Sequence, residues 1–307
     1  MWARLEQGDI IDVVAPSSSN LSEEQIKASL QQIENAGYKV RYPADLVSTD
    51  HIFHANNDEY RIKSMKLALL AEDSKAIWAL RGGYGAAKVI QGLLDLGVKP
   101  PKEKVLIGFS DITALHLFLS ESWGWHPIHG AVLSQSGNPK FNQKNFDPII
   151  SMLGSHNSCF DLAGLSLVSA KAPVCPINGE LSGGNLCLIQ TSIGTPWQMT
   201  GEGKILIIED GNERGYRIDR MLHHLLQAGI LKGVKAMVCN FTGGDESDGT
   251  NLIAPALRDF ASLVDFPIFT YAGIGHGYNN APFVYGASAE IIADGESFKL
   301  TYSLPDY

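Results

Sequence analysis

Apolar and polar positions alternate in blocks along the first half of the chain, and the blocks switch between a strand-like and a helix-like period. The apolar run at residues 10–16 predicts a strand, and residues 22–36 predict a helix with one apolar face. Ser22 and Gln25 fit a capping box at the start of this helix, and Gly37 stands where a helix commonly ends. Further strands are predicted near 38–42, 76–80 and 105–109, and further helices at 58–71 and 86–96. Repeated strand–helix units predict an α/β domain with a parallel sheet covered by helices on both faces.

The second half of the chain mixes helices with strands that are not all expected to pair in parallel. Helices are predicted after Asn185, at 218–228 and near 252–263, and strands at 204–208, 234–239 and 267–271. Near the end, Asp294 and Gly295 separate two strand-like runs, which is the pattern of a β-hairpin. A hairpin next to strand–helix units indicates a mixed, strand-rich α/β domain.

A change of pattern near the middle of the chain indicates a domain junction. The chain has 307 residues, which is longer than most single domains. Between about residues 139 and 176 the periodicity is lost and polar, proline-containing stretches appear. We therefore predict a first domain at 1–150, a linker at 151–175 and a second domain at 176–307, with one functional cleft shared by the two domains.

The charge balance bears on the class of partner. The chain has 24 basic and 33 acidic residues, a formal net charge of −9, and no block rich in Lys or Arg. This composition argues against a nucleic-acid or anionic membrane surface and favours a small-molecule or peptide partner. The beginning of the chain does not resemble a secretory signal, and no apolar run reaches the about 18 residues that a membrane span needs. We therefore expect no membrane partner and a cytoplasmic location.

Ser110 is a candidate nucleophile. It follows the apolar run at 105–109 and precedes a helix-like segment. A serine at a sharp strand-to-helix turn projects clear of the sheet, and the free amides that open the next helix can bind a developing negative charge. The alternative is that Ser110 only caps the helix, because serine is common at helix starts.

The segment Arg81-Gly82-Gly83-Tyr84-Gly85 also follows a predicted strand and precedes a helix. Its backbone amides are suited to an anion or to a reacting carbonyl oxygen, since glycine permits close approach. A plain tight turn explains the same glycines on steric grounds. A nucleotide-phosphate loop is a third interpretation, but the chain lacks the usual spacings of such loops.

Glu209 and His276 are candidates for the other two members of a hydrolase triad. Glu209 closes the apolar run at 204–208, and His276 lies in a glycine-flanked loop after the run at 267–271. A solvated acidic turn is the alternative for Glu209. A serine, an acid and a histidine at strand ends can form a triad in any chain order. Ser110 lies in the first predicted domain and the other two in the second, so the site is expected at the interdomain cleft.

Neither metal nor cofactor is predicted. The four cysteines show no C-x-x-C spacing, and the histidines lack the spacing of a metal set such as H-E-x-x-H.

These motifs together resemble the LD-carboxypeptidases, the serine peptidases that include murein tetrapeptide carboxypeptidases and microcin C immunity peptidases. The resemblance spans nearly the whole chain and rests on residues 14–18, 78–85, 108–115, 178–186, 209–210 with 216–222, and 275–277. It implies a Rossmann-like N-terminal domain and a smaller, strand-rich C-terminal domain. Two departures are visible: Phe109 stands where a tyrosine is usual, and Lys88 where an arginine often follows the glycine loop.

The resemblance implies Ser110 as nucleophile, His276 as general base and Glu209 as the residue that orients His276. It also implies an oxyanion hole formed by the backbone amides of Gly83 and Asp111.

The expected activity is hydrolysis of the L–D peptide bond before a C-terminal D-amino acid, most directly D-alanine of a cytoplasmic murein tetrapeptide, in peptidoglycan recycling. Arg81 is the candidate for binding the substrate carboxylate, and a homodimer is expected from the resemblance. One alternative is a microcin C-type immunity peptidase that cleaves acyl-sulfamoyl adenylates. Another is a non-catalytic α/β protein that binds a ligand at its glycine loops.

Overall fold

The computed structural model of the chain describes residues 3–18, 21–48, 51–154 and 159–305. The described residues divide into two compact units, one up to residue 154 and the other from residue 159 to residue 305.

The first unit has the predicted parallel α/β architecture. Its helices and strands are β1 (Ile10–Val14), α1 (Glu23–Asn35), β2 (Lys39–Arg41), α2 (Asp58–Leu70), β3 (Ser74–Ala79), α3 (Ala86–Leu94), β4 (Val105–Gly108), α4 (Thr113–Leu117), β5 (Ile128–His129) and α5 (Asp147–Gly154). The strands run parallel in the order β2, β1, β3, β4, β5. The predicted Rossmann-like parallel sheet is therefore confirmed.

The start of α1 shows why local sequence predicted this unit well. The Ser22 side chain accepts a hydrogen bond from the Gln25 N–H, and the Gln25 side chain accepts one from the Ser22 N–H, so the capping box is present. After the helix, Gly37 adopts a φ of +87°, which glycine tolerates without strain. These signals lie within a few residues of the helix that they delimit.

The strand order determines where a ligand can bind. The chain moves outward from β1 to β2 and then returns to place β3 on the other side of β1. Ligands of such sheets bind beyond the carboxyl ends of the strands, where the strand order reverses. In this unit that position belongs to the loops after β1 and β3, next to the loop after β4.

The second unit is a closed barrel with helices on its crossover connections. Its elements are β6 (Cys159–Leu167), β7 (Ile177–Asn185), α6 (Leu186–Ser192), β8 (Lys204–Gly211), α7 (Gly215–Gln227), β9 (Ala236–Thr242), α8 (Ile253–Ala261), β10 (Ile268–Thr270), β11 (Phe283–Val284), β12 (Ser288–Asp294) and β13 (Ser297–Ser303). The barrel order is β10, β6, β13, β12, β7, β8, β9. Strands β7 to β10 run parallel, whereas β12 and β13 form the predicted antiparallel hairpin. The mixed, strand-rich domain is confirmed.

The described part of the predicted linker, residues 151–154 and 159–175, does not form one connecting segment, which corrects the sequence analysis; residues 155–158 lie outside the described residues. Helix α5 continues to Gly154, and β6 pairs with β13 and β10 inside the barrel. Most β6 side chains are exposed or half-buried, and its buried positions are Leu162 and Leu165. The apolar signal of β6 is therefore weak, and its strand partners lie more than a hundred residues away in the chain.

Candidate active site

Ser110 lies where the chain leaves the sheet after β4. Its backbone φ is +62°, in the left-handed region that non-glycine residues seldom occupy. Residues Ser110–Ile112 form one 3-10 turn that leads into α4, and Phe109 holds the cap position before this turn. Ser110 is therefore inside the turn and is not its cap residue. A serine on such a strained strand-to-helix turn is the geometry in which a nucleophilic hydroxyl is presented.

The glycine loop at 81–85 follows β3 and packs against the Ser110 turn. A Cβ at Gly82 would lie 3.1 Å from Ser110 Cβ and 3.3 Å from the Phe109 carbonyl oxygen. Gly83 has a φ of +110°, and a Cβ there would lie 2.7 Å from Ser18 Oγ. Gly83 needs glycine, because both its φ and its contact with Ser18 disfavour a side chain, whereas at Gly82 a side chain would crowd the Ser110 turn.

Ser18, in the loop after β1, joins the glycine loop to the loop that precedes α2. Its Oγ accepts a hydrogen bond from the Tyr84 N–H at 3.0 Å and donates one to the Phe53 carbonyl at 2.6 Å. Three loops are thus bonded together at the point where the strand order reverses.

The backbone amides of Gly83 and Asp111 are the predicted oxyanion donors. Neither N–H donates a hydrogen bond to an acceptor in the part of the chain that the structure describes. Unused N–H groups at a glycine turn and at the start of a helical turn are suitable donors to an anion.

Arg81 begins the glycine loop and is half-buried. Among the described residues its guanidinium makes no hydrogen bond and no ion pair. Its charge is therefore not neutralised by a carboxylate of the described chain.

In the second unit, the carboxyl end of β8 carries Glu209, and the loop after β10 carries His276. Glu209 Oε2 lies 2.6 Å from His276 Nδ1. The Glu209 side chain is fully buried, whereas 29% of the His276 side chain is exposed. A carboxylate that binds Nδ1 fixes the orientation of the imidazole ring and leaves Nε2 for proton transfer.

The surroundings of His276 make it a stronger base than a free imidazole. Burial by itself would lower the pKa of His276, but the Glu209 charge, its hydrogen bond and the Asp210 charge together raise that pKa above its ordinary value.

Two asparagines hold the loop that carries His276. Asn240 Nδ2 donates to the Ile274 carbonyl at 2.5 Å, and Asn280 Oδ1 accepts from the Gly275 N–H at 2.9 Å. The sequence analysis missed both asparagines, because amide side chains are common in loops and carry no chemical signature of their own.

Asp210 is a buried carboxylate that joins β8 to the first turn of α6. Its Oδ2 accepts from the Cys187 N–H at 3.1 Å, and its Oδ1 accepts from the Gly211 N–H at 2.8 Å. Burial and the neighbouring Glu209 charge raise the pKa of Asp210 to about 6. Its position directly after Glu209 was visible in the sequence, but its partners were not.

Replacing Gly275 with alanine is expected to disturb the acid–histidine pair. Gly275 has a φ of +75°, and a Cβ there would lie 2.3 Å from Glu209 Oε2, the atom that binds His276. We expect a loss of catalytic rate of about 100-fold, as a misplaced catalytic group costs about this much. The matched control is Gly295→Ala, at a φ of +62° with open space around it, which adds backbone strain without the contact. Equal rates for the two variants would show that the space beside Glu209 Oε2 does not require glycine at position 275.

No group of three or more His, Cys, Asp and Glu side chains within the described residues could hold a metal ion. The helices in those same residues include none that is both long and apolar enough to span a membrane.

Comparison with known proteins identifies the family. Residues 11–130 match the family model of the LD-carboxypeptidase N-terminal domain, and residues 178–291 match that of the LD-carboxypeptidase C-terminal domain. A putative carboxypeptidase of Rickettsia conorii is 43% identical over 251 residues, which cover 81% of this chain and 77% of that protein. The chain belongs to the LD-carboxypeptidase family. The resemblance inferred from the motifs is thus confirmed, and the chain is a peptidase.

Solved structures share this fold along nearly the whole chain. Muramoyltetrapeptide carboxypeptidase from Oxalobacter formigenes is 25% identical in sequence, with a TM-score of 0.79. The match covers 97% of this LD-carboxypeptidase chain and 99% of the Oxalobacter chain. The microcin C7 self immunity protein MccF, in complex with aspartyl sulfamoyl adenosine, is 16% identical with a TM-score of 0.82, covering 99% of this chain and 98% of its own. At 16% identity the likeness to MccF concerns the fold alone.

The structure places the predicted site residues of this family member in two groups. In the first unit, the turn of Ser110 and Asp111 packs against the glycine loop that holds Arg81 and Gly83. In the second unit, Glu209 and His276 form a hydrogen-bonded pair. That these residues act together as one catalytic site stays a prediction.

Proposed function

We propose that the chain is a serine LD-carboxypeptidase that hydrolyses the L–D peptide bond before a C-terminal D-alanine of a murein tetrapeptide. One observation carries the proposal that the chain is a serine hydrolase: the buried Glu209 carboxylate lies 2.6 Å from His276 Nδ1. The family to which the chain belongs is one of carboxypeptidases. The substrate class is taken from the muramoyltetrapeptide carboxypeptidase that shares the fold.

In the proposed mechanism, Ser110 Oγ attacks the carbonyl carbon of the L-residue while His276 Nε2 takes the hydroxyl proton. His276 then gives this proton to the leaving amine, so that the peptide bond breaks and free D-alanine departs. A water molecule, deprotonated by His276, hydrolyses the resulting ester and restores Ser110. Glu209 keeps the imidazole in the required tautomer and stabilises its protonated form.

The charge that develops on the carbonyl oxygen is proposed to be bound by the N–H groups of Gly83 and Asp111. A preorganised donor of this kind contributes about 3–4 kcal/mol at the transition state. The proposed role of Arg81 is to bind the terminal carboxylate of the substrate, supported by the absence of any ion pair of its guanidinium with another described residue.

The test is release of D-alanine from a murein tetrapeptide, measured beside an otherwise identical peptide that ends in L-alanine. We expect release from the D-terminated peptide, with the L-terminated one cleaved at least about 100-fold more slowly. Equal cleavage of both peptides would overturn the LD specificity.

Two other outcomes would point to the alternatives. Cleavage of aspartyl sulfamoyl adenosine but not of the tetrapeptide would support a microcin C-type immunity peptidase. Failure of a fluorophosphonate to label Ser110 in folded protein would support a non-catalytic binding protein, because only an activated serine reacts with this probe.

Two further expectations accompany the proposal. The substrate class, murein peptide in peptidoglycan recycling, places the proposed activity in the cytoplasm, which fractionation of the source cells would test. A homodimer is expected from the family resemblance, and sedimentation analysis of the purified protein would test it.

A further inference from the structure

Two charged side chains, Arg61 and Asp111, are buried beneath the loops that surround Ser110. Arg61 is 2% exposed and Asp111 is 3% exposed. Neither side chain is a reacting group in the proposed mechanism. Burying a charge is costly unless it is paired and hydrogen-bonded, so the partners of these two side chains show what they hold in place.

Both charges contact the same peptide group, which joins Gly85 to Ala86. Arg61 Nη1 donates to the Gly85 carbonyl at 3.0 Å, and Asp111 Oδ2 accepts from the Ala86 N–H at 2.8 Å. The C=O and N–H of a trans peptide point in opposite directions. The cation and the anion therefore hold this peptide from its two sides, and rotation of the peptide plane would break both bonds.

The remaining contacts of the two charges reach the loop after β1 and the start of α2. Arg61 also donates to the Pro16 carbonyl, and it pairs with Asp58 Oδ1 at 2.6 Å. Asp111 Oδ2 accepts a second hydrogen bond from Ser17 Oγ at 2.5 Å. The loops after β1, β3 and β4 are thus tied to one pair of charges.

Gly85 shows how tightly the peptide is held. It has a φ of +126°, and a Cβ there would lie 2.9 Å from Arg61 Nη1 and 2.5 Å from His54 Cδ2. Gly85 is also the last residue of the loop that carries Gly83. The orientation of its carbonyl therefore affects the path of the residues just before it.

We propose that Arg61 and Asp111 form a clamp on the Gly85–Ala86 peptide that positions the Gly83 amide for the oxyanion formed on attack by Ser110. Both side chains are positioning residues, and this role of the Asp111 carboxylate is separate from that of its backbone amide. The inference rests on the proposed function, because the group that is positioned belongs to the proposed oxyanion hole.

The test is a double-mutant cycle on Arg61 and Asp111, with kcat and KM for D-alanine release as readouts. Asp111→Ala is expected to lower kcat about 100-fold with KM changed by no more than about twofold, since the lost interaction acts in the transition state. Arg61→Met is expected to have a similar effect. The double variant is expected to lose about as much as the more damaged single variant, because both side chains act on one peptide.

Milder variants keep the test usable if the Arg61 variant does not fold. Asp111→Asn can still present an acceptor oxygen to Ser17 and Ala86, so it should recover about tenfold of the activity lost in Asp111→Ala. Ser17→Ala removes one of the two hydrogen bonds to Asp111 and is expected to cost about fivefold in kcat.

Asp12 provides the matched control, because it is another buried carboxylate of the same unit. It bonds to Arg41 and Ser74 and to no residue of the clamp. Asp12→Asn is expected to lower the melting temperature and to leave kcat unchanged. A purely structural role of Asp111 predicts the same behaviour for Asp111→Ala.

An unchanged kcat of folded Asp111→Ala, or fully multiplicative losses in the double variant, would overturn the clamp. If the native protein releases no D-alanine, the proposed substrate is wrong, and the rate of fluorophosphonate labelling of Ser110 replaces kcat as the readout, since it also depends on the oxyanion hole. Equal, measurable labelling rates in native protein and Asp111→Ala would then overturn the clamp alone. No labelling of either protein would overturn the proposed function together with the clamp that rests on it.

Discussion

Replacing Ser110 with alanine is expected to lower D-alanine release at least about 10⁴-fold, the scale found when a triad nucleophile is removed. In the proposed mechanism, the Ser110 hydroxyl oxygen is the atom that forms a covalent bond with the substrate. The backbone of Ser110 has a φ of +62°, where alanine and serine are similarly strained. The melting temperature should therefore change little while the activity is lost.

Initial rates of D-alanine release, with circular dichroism of each purified protein, provide the measurement. The matched control is Ser29→Ala, because the Ser29 hydroxyl is buried in α1 and donates to the Gln25 carbonyl of the same helix. This variant should keep native activity. Retention of more than about 1% of the native rate by Ser110→Ala would exclude Ser110 as the nucleophile, since triad knockouts leave far less.

Glu209→Gln is expected to lower kcat about 10⁴-fold, as does an acid-to-amide change in a serine triad. Glu209 Oε2 binds His276 Nδ1 at 2.6 Å inside a fully buried environment. A glutamine amide can donate to Nδ1, which moves the ring proton to Nε2 and prevents that atom from accepting the serine proton. The loss therefore follows from the tautomer and not from a change in packing.

The same variant should also shift the pH dependence of kcat/KM. His276 must be neutral to act as a base, so activity rises with pH as His276 loses its proton. In the native protein the Glu209 charge and hydrogen bond, against the effect of burial, raise the pKa of His276. Without that charge burial dominates and the pKa falls, so the acid limb of the profile should move to lower pH.

The control for this measurement is Glu180→Gln, an exposed glutamate of β7 that pairs with Lys204. It should leave the profile in place. An acid limb that stays unchanged in Glu209→Gln would assign the limb to another group, and Asp210, with a pKa of about 6, would be the first to examine.

Local sequence signals account for most of the first unit. The capping box of Ser22 and the alternation of apolar strands with amphipathic helices predicted strands β1 to β4 and helices α1 to α3 within a few residues. The linker prediction failed at β6, because few of its side chains are buried and its pairing with β13 and β10 depends on residues far away in the sequence. Strand pairing of this kind is decided by tertiary contacts and not by a local period.

The candidate active site was also only partly predictable from the sequence. Ser110, Glu209 and His276 could be selected from the sequence because they stand at strand ends within recognisable motifs. Arg61 and Asn240 could not, because an arginine in a helix and an asparagine at a strand end acquire a role only through the carbonyls that they bind in the folded unit. The proposed reacting groups could thus be named from the sequence, whereas the groups proposed to position them required the structure.

In the proposed mechanism, Ser110 forms an ester with the acyl part of a peptide that ends in a D-amino acid. The most direct measurement is intact-protein mass spectrometry after rapid acid quenching of a reaction with murein tetrapeptide, followed by mapping of the modified fragment. We predict a mass increase equal to the tripeptide acyl group, located on the fragment that contains Ser110 and absent in Ser110→Ala. An adduct on a different residue, or D-alanine release by Ser110→Ala at the native rate, would show that Ser110 is not the nucleophile.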